Sequence, residues 1–485
     1  MFLRHRQPDS YSKMIRLFIS SVRAALRARP ERGRSYPRVA PANPLLKNAV
    51  AFGRDYFNFM VDNQRRYGDF YDVHLPHVPL FVLAKPEYAK HVLVTNNKKY
   101  GKSFAYESLR HPLGNGLLTS EGDFWLKQRR IAQPAFHRER LATLGRTITG
   151  ATQEMLREWE QADHTAPRNV SQDLMRLTAQ VVARALFGSD IGASSPAIVR
   201  CINVINQHIT DKVANPFRLP LWLPNQENRT YQAALQELDK LVYGIIAERR
   251  SASQTHHDLL AMLMDTEDAD TGGRHPGERM SDQQVRDEVV TLFIAGTETS
   301  AVALSWALYL LATHPEEKER VYQETQQAKL AGTPTGNPTA DLPHTNRVVQ
   351  ETMRLYPPAW IIGREAREDD ELDGYFIPRG SQVYICPYII HRHPKLWEQP
   401  DRFWPDRFAD PEVPRHKFAF FPFGGGPRYC IGNHFALMEM QLVLSQLINR
   451  FDIQLATEQE ILVEPLITLR PRGGVPLLLK KRVDK

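Results

Sequence analysis

The stretch Phe423-Gly424-Gly425-Gly426-Pro427-Arg428-Tyr429-Cys430-Ile431-Gly432 says more about this 485-residue chain than any other. Its glycines let the backbone approach closely and direct amide N–H groups at the sulfur of Cys430. Arg428, two residues before the cysteine, adds a positive charge, and both features stabilise a thiolate. A helix is predicted over Phe435–Leu447. A thiolate on a tight loop before a helix is suited to be the single axial ligand of an iron.

Three other interpretations of this loop compete with an iron ligand: a phosphate loop, a zinc site and a buried structural cysteine. A phosphate loop is excluded because no Gly-Lys-Ser/Thr follows the glycines. A zinc site is disfavoured because Cys430 and His434 form one ligand pair without a second Cys/His pair nearby. A buried structural cysteine, the usual state of a lone cysteine, stays open on these residues alone.

A long helix is predicted from Met280 to His314, opening with a capping-box pattern at Ser281 and Gln284. Glu298 is its only charge between Val289 and Ala312, so both a membrane span and a central core helix fit its length. The polar cluster at residues 296–300 favours a core helix that borders a buried site. Gly296 within this helix predicts the close approach of a flat ligand.

Two further motifs carry little information alone. Glu351 and Arg354 share a helix face and can pair, as many surface residues do. Residues 400–408 form an aromatic turn stiffened by prolines.

In combination, these motifs resemble the cytochrome P450 family of haem-thiolate monooxygenases. The Cys430 loop matches the family pattern at every fixed position, and Glu351, Arg354 and Arg407 match its buried charged triad. Residues 295–300 resemble its oxygen-activating helix, with Ser300 where threonine is usual. Residues 125–129 resemble the family's helix whose Trp and Arg meet a haem propionate, and the motifs run in family order over roughly residues 65–480.

The resemblance implies an α+β, mainly α-helical fold with a long central helix and a smaller β-rich region. It implies one haem b with Cys430 as the metal ligand, Glu298 and Thr299 as catalytic proton relay, and Glu351, Arg354 and Arg407 as structural residues. The residues expected to bind the cofactor are Trp125, Arg129, Arg364, Phe423, Arg428, Cys430 and Gly432. The residues expected to face the substrate are Phe293, Ala295, Ala359, Trp360 and Ile467, with Phe104–Leu113 as an access loop.

The implied reaction inserts one atom of O2 into a hydrophobic small molecule of fatty acid, terpenoid, steroid or polyketide type. Electrons would come from an external redox partner such as a ferredoxin, flavodoxin or reductase, and the protein is expected to be a monomer. Two alternatives stay open: a haem-thiolate isomerase, dehydratase or peroxygenase that needs no redox partner, and a non-enzymatic haem sensor. Glu298 and Thr299 together argue against the first, and the apolar pocket positions with that pair argue against the second.

Charge divides the chain into a basic start and a balanced body. The net charge is +7, but residues 1–40 alone carry +8, so the body offers no basic surface for nucleic acid. An apolar helical stripe runs through this segment at Ile15, Phe18, Ile19, Val22 and Leu26. The segment is interpreted as a membrane-surface helix, an organelle leader or a packed helix. Residues 41–485 are predicted to form one domain, and three scattered cysteines favour a reducing, cytoplasmic compartment, with peripheral membrane contact left open.

Overall fold

A computed structural model describes residues 39, 41, 43, 45–76, 78–136, 138–188, 195–214, 221–251, 258–265, 280–330, 341–410 and 412–482. Helices occupy most of them and short strands are grouped apart, which confirms the predicted α+β, mainly helical class. The basic segment 1–40 lies outside the described residues except for Val39, so its interpretation stays a prediction.

The helices lie mainly between the first and last strands of the chain. Their bounds are α1 Ala49–Arg54, α2 Tyr56–Tyr67, α3 Pro86–Lys90, α4 Ala105–Leu113, α5 Gly122–Ala132, α6 Arg138–Glu160, α7 Val170–Phe187, α8 Ser195–Ala214, α9 Gln226–Ser251, α10 Leu259–Asp265, α11 Asp282–Thr313, α12 Pro315–Leu330, α13 Pro343–Leu355, α14 Pro387–Ile390 and α15 Asn433–Arg450.

The strands are two to six residues long. Their bounds are β1 Phe70–Asp72, β2 Leu80–Leu83, β3 Tyr100–Lys102, β4 Arg168–Asn169, β5 Ile362–Ala366, β6 Asp370–Leu372, β7 Tyr375–Ile377, β8 Gln382–Ile385, β9 Phe451–Leu455, β10 Val463–Pro465, β11 Leu469–Pro471 and β12 Pro476–Lys481. One sheet has the order β1-β2-β8-β5-β3, in which β2 and β8 are parallel and the other pairs antiparallel. Smaller sheets are formed by β4-β12-β9, β6-β7 and β10-β11.

The helix α11 runs through the main hydrophobic core and packs against α7, α9, α13 and α15. Its first turn is closed by the predicted capping box, with the Ser281 hydroxyl accepting from the Gln284 N–H. The helix is long and apolar enough to cross a membrane, but 83% of its most apolar 18-residue window is buried inside the protein. Its apolar surface is therefore used for packing, as the core-helix interpretation predicts.

Of two local predictions near the first sheet, one is confirmed and the other is wrong. The predicted hairpin is present, with Phe70 opposite Leu83 in β1 and β2. The access loop expected over Phe104–Leu113 is wrong, because all but its first residue form the helix α4. Pro112 is tolerated in this helix because it falls in the last turn, one residue before the helix ends.

A buried charged cluster ties α13 to the chain that leads to the Cys430 loop. Arg354 donates twice to the Glu351 carboxylate, at 2.7 and 2.9 Å, and Arg407 donates to the same carboxylate at 2.9 Å. The spare N–H groups of Arg354 donate to the carbonyls of His391, Pro400 and Arg402. Both Glu351 and Arg354 have no exposed surface. The arginine thus fixes three points of the following coil.

Replacing Arg354 by alanine is predicted to lower the free energy of unfolding by about 3–5 kcal/mol, because the Glu351 charge then stays buried without its main partner. Urea denaturation followed by circular dichroism measures the change. The matched control is Arg250→Ala, which removes an exposed ion pair with Asp282 and should cost about 1 kcal/mol or less. Equal losses in the two variants would contradict the structural role of the cluster.

Candidate functional site

The loop before Cys430 is shaped by its glycines. Gly424 and Gly426 adopt φ values of +74° and +67°, in the left-handed region. A Cβ on Gly426 would lie 1.9 Å from the carbonyl oxygen of Leu93, so a side chain there would displace the backbone. The turn closes with the Cys430 N–H donating to the Phe423 carbonyl at 3.0 Å. The cysteine is thereby held three residues before α15 begins.

The side chain of Cys430 lies deep in the protein, and its exposed surface faces a cavity of about 520 Å³. Burial raises the pKa of the thiol, and the Gly432 N–H and the Arg129 guanidinium oppose that shift. The sequence pointed to Arg428 as the nearby cation, whereas the cation that lowers the pKa of the thiol in the structure is Arg129 on α5. The guanidinium of Arg428 lies over the ring of Trp125, a contact that loop spacing alone could not show.

Arg428 belongs to a set of three cations at one side of the cavity, here called the cationic edge: Lys102, Arg364 and Arg428. The Arg428 guanidinium lies 3.8 Å from the centre of the Trp125 ring, and its Nη1 is buried without a hydrogen-bond partner. Lys102 stands directly opposite Arg364 in the β3–β5 pair, where like charges destabilise a sheet.

Burial and mutual repulsion act on the cationic edge together. Burial lowers the pKa of Lys102 well below its usual range, and Arg364 and Arg428 lower it further. Burial also lowers the pKa of Arg428 to about 10, with Arg364 contributing. Glu121 attracts both Lys102 and Arg428, but its carboxylate already bonds to Arg367 at 2.7 Å. Within the described part of the chain, the edge therefore carries more positive than negative charge.

These features fit the haem that the sequence predicts. A thiol faces the cavity at one place, and an excess of buried positive charge with an unpaired Arg428 N–H faces it at another. Two propionates would neutralise that charge and satisfy the N–H. The predicted cofactor residues Trp125, Arg129, Arg364, Phe423, Arg428, Cys430 and Gly432 all line this cavity.

The middle of α11 forms another wall of the cavity, through residues 294–296 and 298–300. The Glu298 carboxylate accepts hydrogen bonds from Thr468 at 2.6 Å, from Arg470 at 2.8 Å and from the Asn206 amide. The Thr299 hydroxyl donates to the Ala295 carbonyl at 2.7 Å. The structure thus brings both predicted catalytic residues to the same cavity as Cys430.

Gly296 makes a helix contact in addition to lining the cavity, where the approach of a flat ligand stays a prediction. A Cβ on this residue would lie 3.0 Å from a methyl group of Val182 on α7. The close approach is therefore between two helices, in addition to the face that Gly296 gives to the cavity. The Thr178 hydroxyl supports this contact by donating to the Thr297 carbonyl at 2.9 Å.

Four of the five predicted substrate-facing residues line the cavity: Ala295, Ala359, Trp360 and Ile467. Trp360 is fixed by its indole N–H, which donates to the Leu466 carbonyl at 3.1 Å. The prediction for Phe293 is wrong, because its ring is buried in the core beside Phe187. Residues 293 and 295 are two apart on a helix and so point about 200° away from each other.

Several residues at the cavity were missed by reading the sequence. Lys102 comes from a strand whose partner was unknown, and Thr468 comes from the last part of the chain, as does Arg470, which bonds to Glu298 but lines the second, smaller cavity. Asn206 comes from α8 and belongs to no recognisable sequence motif. No sequence motif links these positions. Lys102 alone gave a signal, because it is a lysine in a β-like stretch before the helix that holds Trp125 and Arg129.

The chain is similar in sequence to one protein family and to several of its known members. The family model described as Cytochrome P450 matches residues 37–476. Cyclooctatin synthase of Streptomyces melanosporofaciens is 33% identical over 437 residues, 89% of this chain and 93% of that protein. Cyclooctat-9-en-7-ol 5-monooxygenase of the same organism is 30% identical over 88% of this chain and 91% of its own length. Human Cytochrome P450 4V2 is 29% identical over 93% of this chain and 90% of its own.

Replacing Lys102 by methionine is predicted to act in opposite directions on the haem-free and haem-containing protein. Without haem, removing one of the repelling charges should leave the unfolding midpoint unchanged or higher. With haem, losing a charge-assisted hydrogen bond should raise the rate of haem transfer to apomyoglobin about tenfold or more. Lys98→Met, on the exposed turn before β3, is the control and should change neither quantity. Lower stability without haem and unchanged haem transfer would contradict the assignment.

Proposed function

The chain belongs to the cytochrome P450 family and is a haem monooxygenase, and we propose that it oxidises an apolar cyclic substrate of terpenoid type with electrons from a separate redox partner. One observation carries the proposal. Cys430, the pair Glu298 and Thr299, and a largely apolar wall all face one cavity. Residues suited to iron binding, proton supply and substrate binding thus line the same cavity.

The wall of the cavity supports the substrate class. Side chains from α4, α7, α8 and α11 are mostly aliphatic there, among them Leu113, Val182, Leu186, Ile205, Ile209 and Leu292. Such a wall binds hydrocarbon surface and gives few polar contacts to orient a flexible chain. The two Streptomyces relatives, whose names refer to cyclooctatin and cyclooctat-9-en-7-ol, support a cyclic substrate over a linear one.

Cys430 and the cationic edge would hold the haem from two sides. The thiolate would bind iron, and Lys102, Arg364 and Arg428 would bind the propionates, with Arg129 near the sulfur. When bound, the haem supplies cleavage of dioxygen and transfer of one oxygen atom to a C–H bond. The remaining tasks, which are orientation, water exclusion and proton supply, fall to the protein.

Thr299 is suited to position a proton donor. Its own hydroxyl proton is committed to the Ala295 carbonyl, so the lone pairs of Oγ1 are free to accept a hydrogen bond from a molecule in the cavity. We propose that this acceptor holds a water molecule of the cavity in place for proton transfer.

Glu298 would relay protons to that position. Its carboxylate is 2% exposed and is held by Asn206, Thr468 and Arg470. Arg470 also donates to the exposed Asn203 at 2.9 Å and lines a second cavity of about 270 Å³. We propose that protons leaving Glu298 are replaced through this second cavity. A peroxygenase or isomerase would need no such supply, so the Glu298 network favours the monooxygenase over them.

Replacing Thr299 by alanine is predicted to separate oxygen use from product formation. Haem content and the substrate-induced spectral shift should be unchanged, because only one small side chain is removed from the wall. Product formed per reduced nicotinamide oxidised should fall about tenfold or more, and hydrogen peroxide should rise correspondingly. The measurement uses a ferredoxin and its reductase as surrogate electron donors, and omission of them tests the need for a redox partner.

The control for this experiment is Thr313→Ala. Thr313 lies on the same helix and bonds back to the Tyr309 carbonyl at 3.1 Å, but lies outside the residues that line the cavity. It should lose a little stability and keep full coupling. An unchanged ratio of product to nicotinamide in Thr299→Ala would show that the threonine is structural.

A further inference from the structure

One face of α8 forms part of the wall of the cavity that Cys430 also lines. Ile205, Asn206, Ile209 and Thr210 all line the cavity, and the spacing i, i+1, i+4, i+5 puts them on one side of a helix. The rotation of α8 is fixed by His208, whose ring is stacked on Tyr231 of α9 with 4.0 Å between centroids. Thr210 is therefore held towards the cavity by packing on another face of the helix.

The hydroxyl of Thr210 has no hydrogen-bond partner among the residues that the structure describes, although the residue is only 9% exposed. Thr299, on another helix at this cavity, donates its hydroxyl to the carbonyl one turn back, that of Ala295, at 2.7 Å. Thr210 does not make this bond, so its hydroxyl is left for another partner. A buried hydroxyl without a partner is unfavourable, and such groups in folded proteins normally have one.

The other polar side chains on this part of the wall already have partners. Asn206, one turn before Thr210, donates its amide to Glu298. The Thr291 hydroxyl, on α11, donates to the Leu113 carbonyl at 3.5 Å. Between them the wall is aliphatic, formed by Ile209, Leu186 and Leu292 among others. A lone water would find too few partners there, since buried waters usually make about three hydrogen bonds.

We propose that Thr210 is a specificity-determining residue that hydrogen-bonds an oxygen substituent already present on the substrate. A threonine hydroxyl both donates and accepts, so the substituent is a hydroxyl or a carbonyl on an otherwise apolar skeleton. This inference rests on the proposed function and narrows it: the enzyme acts on a substrate that an earlier oxygenation or hydration has made polar at one position. The bond would contribute to fixing which carbon faces the haem, because the wall around Thr210 is aliphatic.

The test compares alcohols with the hydrocarbons from which they differ by one oxygen. Three pairs span a range of sizes: 1-adamantanol and adamantane, cedrol and cedrane, and 5α-androstan-3β-ol and 5α-androstane. Dissociation constants are measured on the oxidised, haem-containing full chain from the substrate-induced Soret shift. At least one alcohol should bind about tenfold more tightly than its hydrocarbon.

The variants Thr210→Val and Thr210→Ser isolate the hydroxyl. Valine keeps the shape without the oxygen, and it should abolish the preference for the alcohol while leaving the hydrocarbon's affinity within about twofold, because no hydrogen bond to it is lost. Serine keeps the hydroxyl and should keep the preference. The ratio within a pair is read from the haem-containing fraction, so partial loss of folded protein does not affect it.

Two results would overturn the proposal: no alcohol preferred over its hydrocarbon in the wild-type protein, or an equal preference in wild type and Thr210→Val. The experiment uses neither dioxygen nor electrons. If the preference is present but no product forms with a redox partner, the proposed monooxygenase reaction on these substrates fails and the role of Thr210 stands.

Discussion

The placement of the Cys430 sulfur within a cavity is the constraint on which the other features of the structure depend. A thiol at the protein surface would oxidise, and one packed in the core would be inert. Here Gly424 and Gly426 bend the chain so that the sulfur ends a tight turn and faces the cavity. The turn must itself be anchored, and the Glu351–Arg354–Arg407 cluster fixes the coil that leads into it. Catalysis at Cys430 thus depends on charges that never meet the substrate.

The charged groups around the cavity also show how the site depends on its ligand. Lys102, Arg364 and Arg428 are brought together by sheet pairing and by the glycine turn, although they repel one another. A protein maintains such an arrangement where a ligand neutralises it, and the cofactor's carboxylates have the right charge. Glu298 shows the opposite case, since its carboxylate is satisfied by three donors within the protein. The cationic edge therefore lacks an anionic partner, which the cofactor would supply, whereas the Glu298 carboxylate already has its hydrogen-bond partners.

Sequence reasoning succeeded where a motif is local and failed where contacts come from distant parts of the chain. The Cys430 loop, the capped helix α11 and the Glu351–Arg354 pair were predictable because their partners lie within a few residues of each other. Phe293 was assigned to the wrong face of its helix, and the contact of Gly296 with Val182 on another helix could not be seen from the sequence. Lys102 opposite Arg364, and Arg470 beside Glu298, join residues more than 170 positions apart, and only the fold brings them together.

The central claim is that Cys430 binds the haem iron as a thiolate. Its most direct test is the absorption spectrum of the reduced carbon-monoxide complex, recorded for the wild-type protein and for Cys430→Ser. The thiolate is a soft, electron-donating ligand that serine oxygen cannot replace. The account predicts a red-shifted Soret band in the wild-type complex and its absence in the variant. A red-shifted band that persists in Cys430→Ser would contradict it.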